Sequence, residues 1–363
     1  MVGTDGALPL PWLAPWLDEA LRTQRGHAVL LHGPQGIGQW QLALTLAQAW
    51  LCEADASAGQ GAARPCGRCA ACRMVQARTH PDLLVLIPEA LQAPLGWALA
   101  DGDAEPAEAG SGKKQPSKEI RVDAVRGAVA FAQTTPARQA GKVVVLHPAE
   151  RMNAISANAL LKTLEEPAGN ARFILSCAAP QALLPTIRSR CQALALHLPP
   201  AEAATAWLAQ QGVAQPQTVL AAAGGAPLDA LDWLREGLDA KLWQQLPAAM
   251  QRGDADALAA LAGWPLPRVV DALQKLCHDL ACAGLGTAPR FFPAETLPRQ
   301  TDITKLDTWS RELARAARQA EHPLNAGLAI ETLVTQARRA LAGSASGAPG
   351  GPARRGVSVH STA

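Results

Sequence analysis

A glycine loop near the start of the chain constrains the fold most strongly. Residues 28–31 form an apolar run that predicts a buried strand, and the residues from Gln41 onward favour a helix. Between them, Gly33 and Gly38 have the G-x-x-x-x-G spacing of a phosphate-binding loop. A strand, a glycine loop and a helix in this order are typical of an α/β domain whose helix N-terminus faces a phosphate.

The two residues after Gly38 lack the groups that act on a nucleotide. A working loop continues with Lys, which neutralises phosphate charge, and with Ser or Thr, which ligates Mg²⁺. Gln39 and Trp40 occupy those places here. Gln supplies no charge and an indole offers no oxygen ligand, so the loop can hold phosphate at most weakly through its backbone. The sequence therefore predicts an ATPase fold without ATPase activity.

The strand predicted at 143–146 shows a second, independent defect. In active ATPases of this kind the corresponding strand ends in Asp-Glu, which hold Mg²⁺ and orient the attacking water. Here the strand is followed by His147 and Pro148, and the nearest carboxylate, Glu150, lies beyond them. We therefore expect no catalytic role for Glu150.

Strand and helix patterns alternate along the first 198 residues. Further strands are predicted at 82–86, 173–175 and 193–198, and helices within 1–25, at 120–133 and at 154–166. This alternation predicts an α/β fold with a parallel sheet covered by helices on both faces. Residues 101–118 have no apolar period and predict a flexible surface loop.

The second half of the chain has a purely helical pattern. Apolar stripes at 266–280 and 306–313 predict amphipathic helices that form a core or contact partner subunits. The residues from 343 onward are rich in Gly, Ser, Ala, Pro and Arg and predict a disordered tail.

Composition limits the class of partner. The formal net charge of the 363 residues is +2, which gives no overall field to attract nucleic acid or a membrane surface. The long uncharged run 203–228 is interrupted by Gln, Gly and Pro, and the N-terminus has no basic stretch ahead of an apolar core. These features predict a cytoplasmic protein that does not bind a membrane.

Half of the eight cysteines fall within residues 52–72. They are Cys52, Cys66, Cys69 and Cys72. The C-x₂-C-x₂-C spacing lets thiolates converge on one tetrahedral Zn²⁺, and Gly67 suits the tight turn. Four thiolates leave no open position for water, so we expect a structural zinc site.

Alternatives to this zinc site stay open. Reduced surface thiols or an iron–sulfur cluster would fit the same residues. Because the gap between Cys52 and Cys66 is long, another residue or a partner could supply the fourth ligand. His80 is a weaker candidate ligand, since His80-Pro81-Asp82 favours a turn.

Several motifs together resemble the bacterial clamp-loader subunits of the AAA+ class. They are the glycine loop, the cysteine run, the segment at 160–167 (LLKTLEEP) and Ser189-Arg190-Cys191. Within that family, the defective loop is similar to that of the delta prime branch of the DNA polymerase III holoenzyme. The resemblance implies an AAA+ P-loop-type domain at 1–198 with a zinc module at 52–72, a helical lid at 199–238 and an all-α collar domain at 239–342.

The resemblance also implies a function. A delta prime subunit is a stator that binds no ATP and is no enzyme by itself, although it belongs to a DNA-directed DNA polymerase, a nucleotidyltransferase complex. Its partners are gamma/tau motor subunits, a delta subunit, the sliding clamp and primed DNA, which it meets in the assembled hetero-oligomer. Arg190 would be an arginine finger that acts in trans on ATP of a neighbouring motor subunit, although a lone Arg is usually a surface charge.

Two other functions compete with the stator. The chain could be an ATP-driven motor subunit of the same loader or a nucleotide kinase, against which Gln39, Trp40 and His147 argue. It could also be a zinc-dependent nucleic-acid-binding protein that acts alone. The second alternative depends on four arginines around the cysteines, which are too few for strong phosphate binding. They are Arg64, Arg68, Arg73 and Arg78.

Overall fold

The computed structural model describes residues 1–54, 64–97, 116–253, 259, 261, 263–298, 302–320 and 325–342. Most of the loop predicted at 101–118 and the whole tail predicted at 343–363 lie outside the described residues. The chain divides into two compact units, Met1–Arg235 and Glu236–Ala363.

The first unit combines strands with helices. Its strands are β1 (Ala28–His32), β2 (Leu83–Leu86), β3 (Val143–Leu146), β4 (Arg172–Cys177) and β5 (Gln192–Ala195). Its helices are α1 (Leu13–Thr23), α2 (Gln39–Leu51), α3 (Ala70–Gln76), α4 (Glu89–Gln92), α5 (Val122–Gln133), α6 (Ala154–Glu165), α7 (Pro185–Arg188), α8 (Ala201–Gln210), α9 (Pro216–Ala222) and α10 (Pro227–Arg235).

The five strands form one parallel sheet in the order β2-β3-β4-β1-β5. At its carboxyl edge, where the strands end, His32 pairs with Cys177 and the glycine loop leaves β1. At its amino edge, where the strands begin, Val29 pairs with Gln192. The structure confirms the predicted fold class.

Alternate residues of the strands enter two separate cores. Val143 and Val145 of β3 pack with residues of α1 and α2 on one face. Val144 and Leu146 pack with residues of α5 and α6 on the other. Helices therefore cover both faces of the sheet, which explains why β3 is an unbroken apolar run.

The strand predicted at 193–198 is shorter in the structure. β5 ends at Ala195, and one more ladder hydrogen bond joins Leu196 N to His32 O at 2.7 Å. The neighbouring strand β1 ends at His32, where the glycine loop begins. The residues after Leu196 therefore have no strand to pair with.

The described residues of the second unit form helices without any strand. The helices are α11 (Ala240–Arg252), α12 (Leu266–Gly284), α13 (Ile303–Gln319) and α14 (Ala326–Leu341). Leu273 and Leu276 of the predicted stripe on α12 are fully buried, as are Trp309 and Leu313 on α13. Among the residues that the structure describes, no helix is both long and apolar enough to cross a membrane.

Candidate functional site

The Gln39 side chain forms hydrogen bonds within the glycine loop. Its Nε2 donates to the carbonyl oxygen of Gly33 at 2.9 Å and also to that of Pro34. A Cβ added at Gly33 would lie 2.3 Å from the carbonyl oxygen of Leu196, so the loop packs directly on the end of the sheet. The Gln39 amide therefore joins the first turn of α2 to the start of the loop by hydrogen bonds, and it brings no positive charge to the loop.

The glycine loop also contacts helix α10. Gly36 adopts φ of 77°, and its carbonyl oxygen accepts a hydrogen bond from Leu228 N at 2.9 Å. A Cβ at Gly36 would lie 2.7 Å from Cβ of Asp229. The first turn of α10 therefore lies directly against the loop.

Trp40 packs into a group of side chains at the carboxyl edge, which we call the strand-end cluster. Its members are Trp40, Trp97, His147 and Ser176. The indole of Trp40 lies 5.2 Å from the His147 ring and 5.5 Å from the Trp97 ring, centroid to centroid. Nδ1 of His147 forms a hydrogen bond of 2.8 Å with Oγ of Ser176. Trp40 is only 7% exposed, so its ring fills space beside the first turn of α2. No local sequence pattern predicts a role for Trp97 here, because it lies far from Trp40 along the chain.

His147 is neutral within this cluster at physiological pH. Burial lowers the pKa of its imidazole to about 4, because the charged form loses its hydration. A neutral ring packs on the Trp40 indole without an uncompensated charge. His147 therefore contributes packing and one hydrogen bond at the place where the sequence lacks Asp-Glu.

The pKa of His147 predicts acid-sensitive stability. The unfolded residue titrates near 6.5 and the folded one near 4, so between these values the unfolded state binds more protons. The free energy of unfolding should therefore fall as the pH drops from 6.5 to 4, by up to about 3 kcal/mol. Denaturant unfolding at several pH values should show a smaller fall in His147→Gln. The exposed His197→Gln is the control, and equal falls in all three proteins would refute this role.

The four cysteines converge on one point. Their Sγ atoms all lie within 4.8 Å of one another, and the described residues contain no other such group of candidate metal ligands. The Sγ separation is 3.9 Å both between Cys52 and Cys69 and between Cys66 and Cys72. Four ligands at 2.3 Å from a tetrahedral Zn²⁺ would be about 3.8 Å apart. The arrangement therefore fits a metal ion of this kind.

Backbone N–H groups point at the sulfur atoms. Arg68 N and Cys69 N donate to Sγ of Cys66 at 3.5 and 3.3 Å. Burial opposes ionisation of Cys66, but hydrogen bonds from these two backbone donors and from the side chains of Cys52 and Cys69 together lower the pKa of the thiol to about 6. Cys72 N donates to Sγ of Cys69 at 3.4 Å. Such donors stabilise thiolates, which are the form that binds metal.

The N-terminal segment covers the cysteine cluster. Val2 exchanges two hydrogen bonds with the buried Gln48 of α2, at 2.8 and 3.1 Å. Gln76 Nε2 joins the carbonyl oxygens of Val2 and Gly67, each at 2.9 Å. These contacts fasten the cluster to the helix after the glycine loop, as in a structural site. His80 lies outside the cluster, with Nδ1 accepting from Asp82 N at 3.1 Å.

Arg190 lies at the amino edge of the sheet, just before β5. Its Nη1 donates to the carbonyl oxygen of Thr186 at 3.0 Å, and its Nη2 forms an ion pair with Glu165 at the end of α6. The Arg190 side chain is 28% exposed. The pairing with Glu165 could not be predicted from the sequence, because no local pattern links two residues separated by 25 positions.

Comparisons with known proteins agree on one family. The family described as DNA polymerase III, delta subunit, matches residues 13–200. A Pseudomonas aeruginosa protein named DNA polymerase III subunit delta' is 41% identical over 225 residues, which cover 61% of this chain and 60% of that protein. The match thus spans about three fifths of the length of this relative. The Escherichia coli protein of the same name is 31% identical over 73% of this chain and 76% of its own length.

A second type of subunit is also similar. DNA polymerase III subunit tau of Escherichia coli is 32% identical over 172 residues, which cover 47% of this chain and 21% of that protein. The family matches more than half of the chain, and the match to the Escherichia coli delta prime protein covers three quarters of that protein. This chain therefore belongs to the DNA polymerase III delta prime family.

Proposed function

We propose that this chain is the stator of a replicative clamp loader, a subunit that binds no ATP itself and completes the ATP site of a neighbouring motor subunit. Its partners are gamma/tau motor subunits and a delta subunit, and the cytoplasmic assembly places the sliding clamp on primed DNA. Residues 1–198 act as the AAA+ domain, 199–238 as the lid and 239–342 as the collar that contacts sister subunits.

The position of Arg190 carries the proposal. The residue precedes β5 at the amino edge, whereas the glycine loop leaves β1 at the carboxyl edge. A strand rises about 3.3 Å per residue, so the length of β5 separates Arg190 from its own loop. A guanidinium in this position has a phosphate target only on another chain, as an arginine finger supplied in trans does.

The environment of the glycine loop supports the absence of bound ATP. The Gln39 amide is used within the loop, Trp40 packs on His147, and Leu228 N binds the carbonyl oxygen of Gly36. Gln39 offers no positive charge, Trp40 offers no metal-binding oxygen, and His147 offers no carboxylate to orient water. These contacts argue against the alternative of an active motor subunit.

The cysteine cluster supports a structural Zn²⁺ as the cofactor of this chain. Cys52, Cys66, Cys69 and Cys72 would be its four ligands, which leaves no coordination position for water. The ion would fasten the chain after α2 to the segment that begins α3, and it would take no part in ATP hydrolysis.

The contacts of the arginines argue against a stand-alone nucleic-acid-binding protein. Arg64 donates to the carbonyl oxygen of Ala54 at 2.7 Å, and Arg68 to that of Thr4 at 3.1 Å. Arg78 lies over the Trp97 ring, 5.0 Å from its centroid. Three of the four arginines around the cysteines are thus held by contacts within the chain, and four positive charges are too few for strong phosphate binding.

Reconstitution tests the assignment. Gel filtration of this chain mixed with the motor and delta subunits of the same bacterium should give one complex, which loads the clamp on primed DNA and hydrolyses ATP when clamp and DNA are present. The same mixture without this chain is the control and should load poorly. A chain that elutes alone, or a loader that works equally well without it, would contradict the proposal.

A further inference from the structure

The ion pair between Arg190 and Glu165 joins two separate elements at the protein surface. Glu165 is the last residue of α6, and Arg190 lies between α7 and β5. The two side chains are 48% and 28% exposed. A second contact, from Nη1 to the carbonyl oxygen of Thr186 at 3.0 Å, holds the other side of the guanidinium.

The bound guanidinium keeps donors for another partner. It has five N–H groups, and the contacts with Thr186 and Glu165 leave one on each Nη nitrogen. Nε is buried and has no hydrogen-bond partner. The group is thus held in place while the outer N–H groups can still meet an anion such as a phosphate.

Helix α6, which ends at Glu165, is held in place by side-chain hydrogen bonds and by buried leucines. Asn153 caps its first turn by accepting from Ser156 N at 2.9 Å, and Oγ of Ser156 donates to the carbonyl oxygen of Ile120 at 3.0 Å. Leu160 and Leu164 are buried in the core beneath the sheet. Ile187 of α7 is buried in the same core, so the end of α6 packs against the segment that carries Arg190.

We infer that Glu165 is a positioning residue, which holds the Arg190 guanidinium in the orientation that meets the phosphate of the neighbouring subunit. The inference rests on the proposed function, since it assigns a role in the same site. A long Arg side chain loses rotamer freedom when it binds a phosphate. The Glu165 carboxylate already restricts the Arg190 side chain, so less conformational entropy is lost when the phosphate binds.

The test needs a loader in which only this interface hydrolyses ATP. The finger arginines of the motor subunits are replaced by alanine, and clamp- and DNA-stimulated hydrolysis is measured. Glu165→Ala should lower kcat about tenfold and leave the KM for ATP unchanged, because the finger acts in the transition state. Glu165→Asp should cause a smaller loss, since its side chain is one methylene shorter and holds Nη2 less closely.

Two variants separate positioning from charge. Glu165→Gln keeps an oxygen acceptor for Nη2 and should retain most of the activity. Glu166→Ala removes the adjacent exposed carboxylate and should behave as the unmodified loader. Gel filtration checks assembly of every variant, and Glu165→Asp provides the test if Glu165→Ala does not assemble.

The outcomes distinguish the positioning role of Glu165 from the finger role of Arg190. Glu165→Ala should cause no further loss in an Arg190→Ala loader. If Arg190→Ala lowers kcat but Glu165→Ala and Glu165→Asp do not, or if Glu165→Gln is as slow as Glu165→Ala, the positioning role is wrong. If Arg190→Ala itself has no effect, the finger function is wrong.

Discussion

Replacement of Arg190 by alanine should slow ATP hydrolysis at the site shared with the neighbouring motor subunit by about 10³-fold or more. The guanidinium stabilises the charge that develops on the phosphate oxygens in the transition state, and alanine provides nothing in its place. Arg190→Lys should restore little, because an ammonium lacks the planar fork that meets two oxygens at once. The measurement is single-turnover hydrolysis by the reconstituted loader with clamp and primed DNA.

The whole loader should lose only part of its turnover. Sites completed by the motor subunits' own arginines continue to hydrolyse ATP, whereas the site served by this chain does not. The exposed Arg188→Ala on α7 is the matched control and should be without effect. Assembly and zinc content should be unchanged in Arg190→Ala. Hydrolysis and loading at the unmodified rate would reject a finger role for Arg190.

Loss of one cysteine ligand should destabilise the first unit by several kcal/mol, a fraction of the roughly 10–16 kcal/mol that zinc binding provides in zinc-finger peptides. Protein purified without added metal should contain one Zn²⁺ per chain. Cys69→Ser should release the ion and lower the melting temperature, because three thiolates and a hydroxyl hold zinc weakly. Elemental analysis and thermal unfolding are the measurements.

A matched variant separates metal loss from loss of a thiol. Cys282→Ser removes a cysteine of the second unit and should keep both the zinc and the melting temperature. Cys52→Ser should resemble Cys69→Ser if Cys52 is the fourth ligand across the long gap. Unmodified protein without zinc, or a Cys69→Ser variant that retains it, would show that the site is misassigned.

The elements with a strong local pattern could be predicted from the sequence. The apolar run of three Val and one Leu predicted the same bounds for β3 as the structure shows, because a central parallel strand is buried on both faces. The spacing of Gly33 and Gly38 likewise located the loop between β1 and α2. Both signals lie within a few adjacent residues.

The contacts that complete the candidate sites could not be predicted in this way. The edge-to-face contact of Trp40 with Trp97 and the ion pair of Arg190 with Glu165 depend on the order of strands and on the crossing of chain segments. The bounds of β5 depend on where its neighbour β1 ends. The roles of Arg190 and of the four cysteines stay predictions that the experiments above test.

Nucleotide binding by the isolated chain tests the central claim most directly. The claim is that this subunit serves the ATP site of another chain without one of its own, because Gln39 and Trp40 stand where a charge and a metal ligand are needed. Calorimetric titration with Mg-ATP up to about 1 mM should give no saturable heat, while an isolated motor subunit of the same loader serves as the positive control. A dissociation constant of about 1–10 μM for this chain would contradict the account.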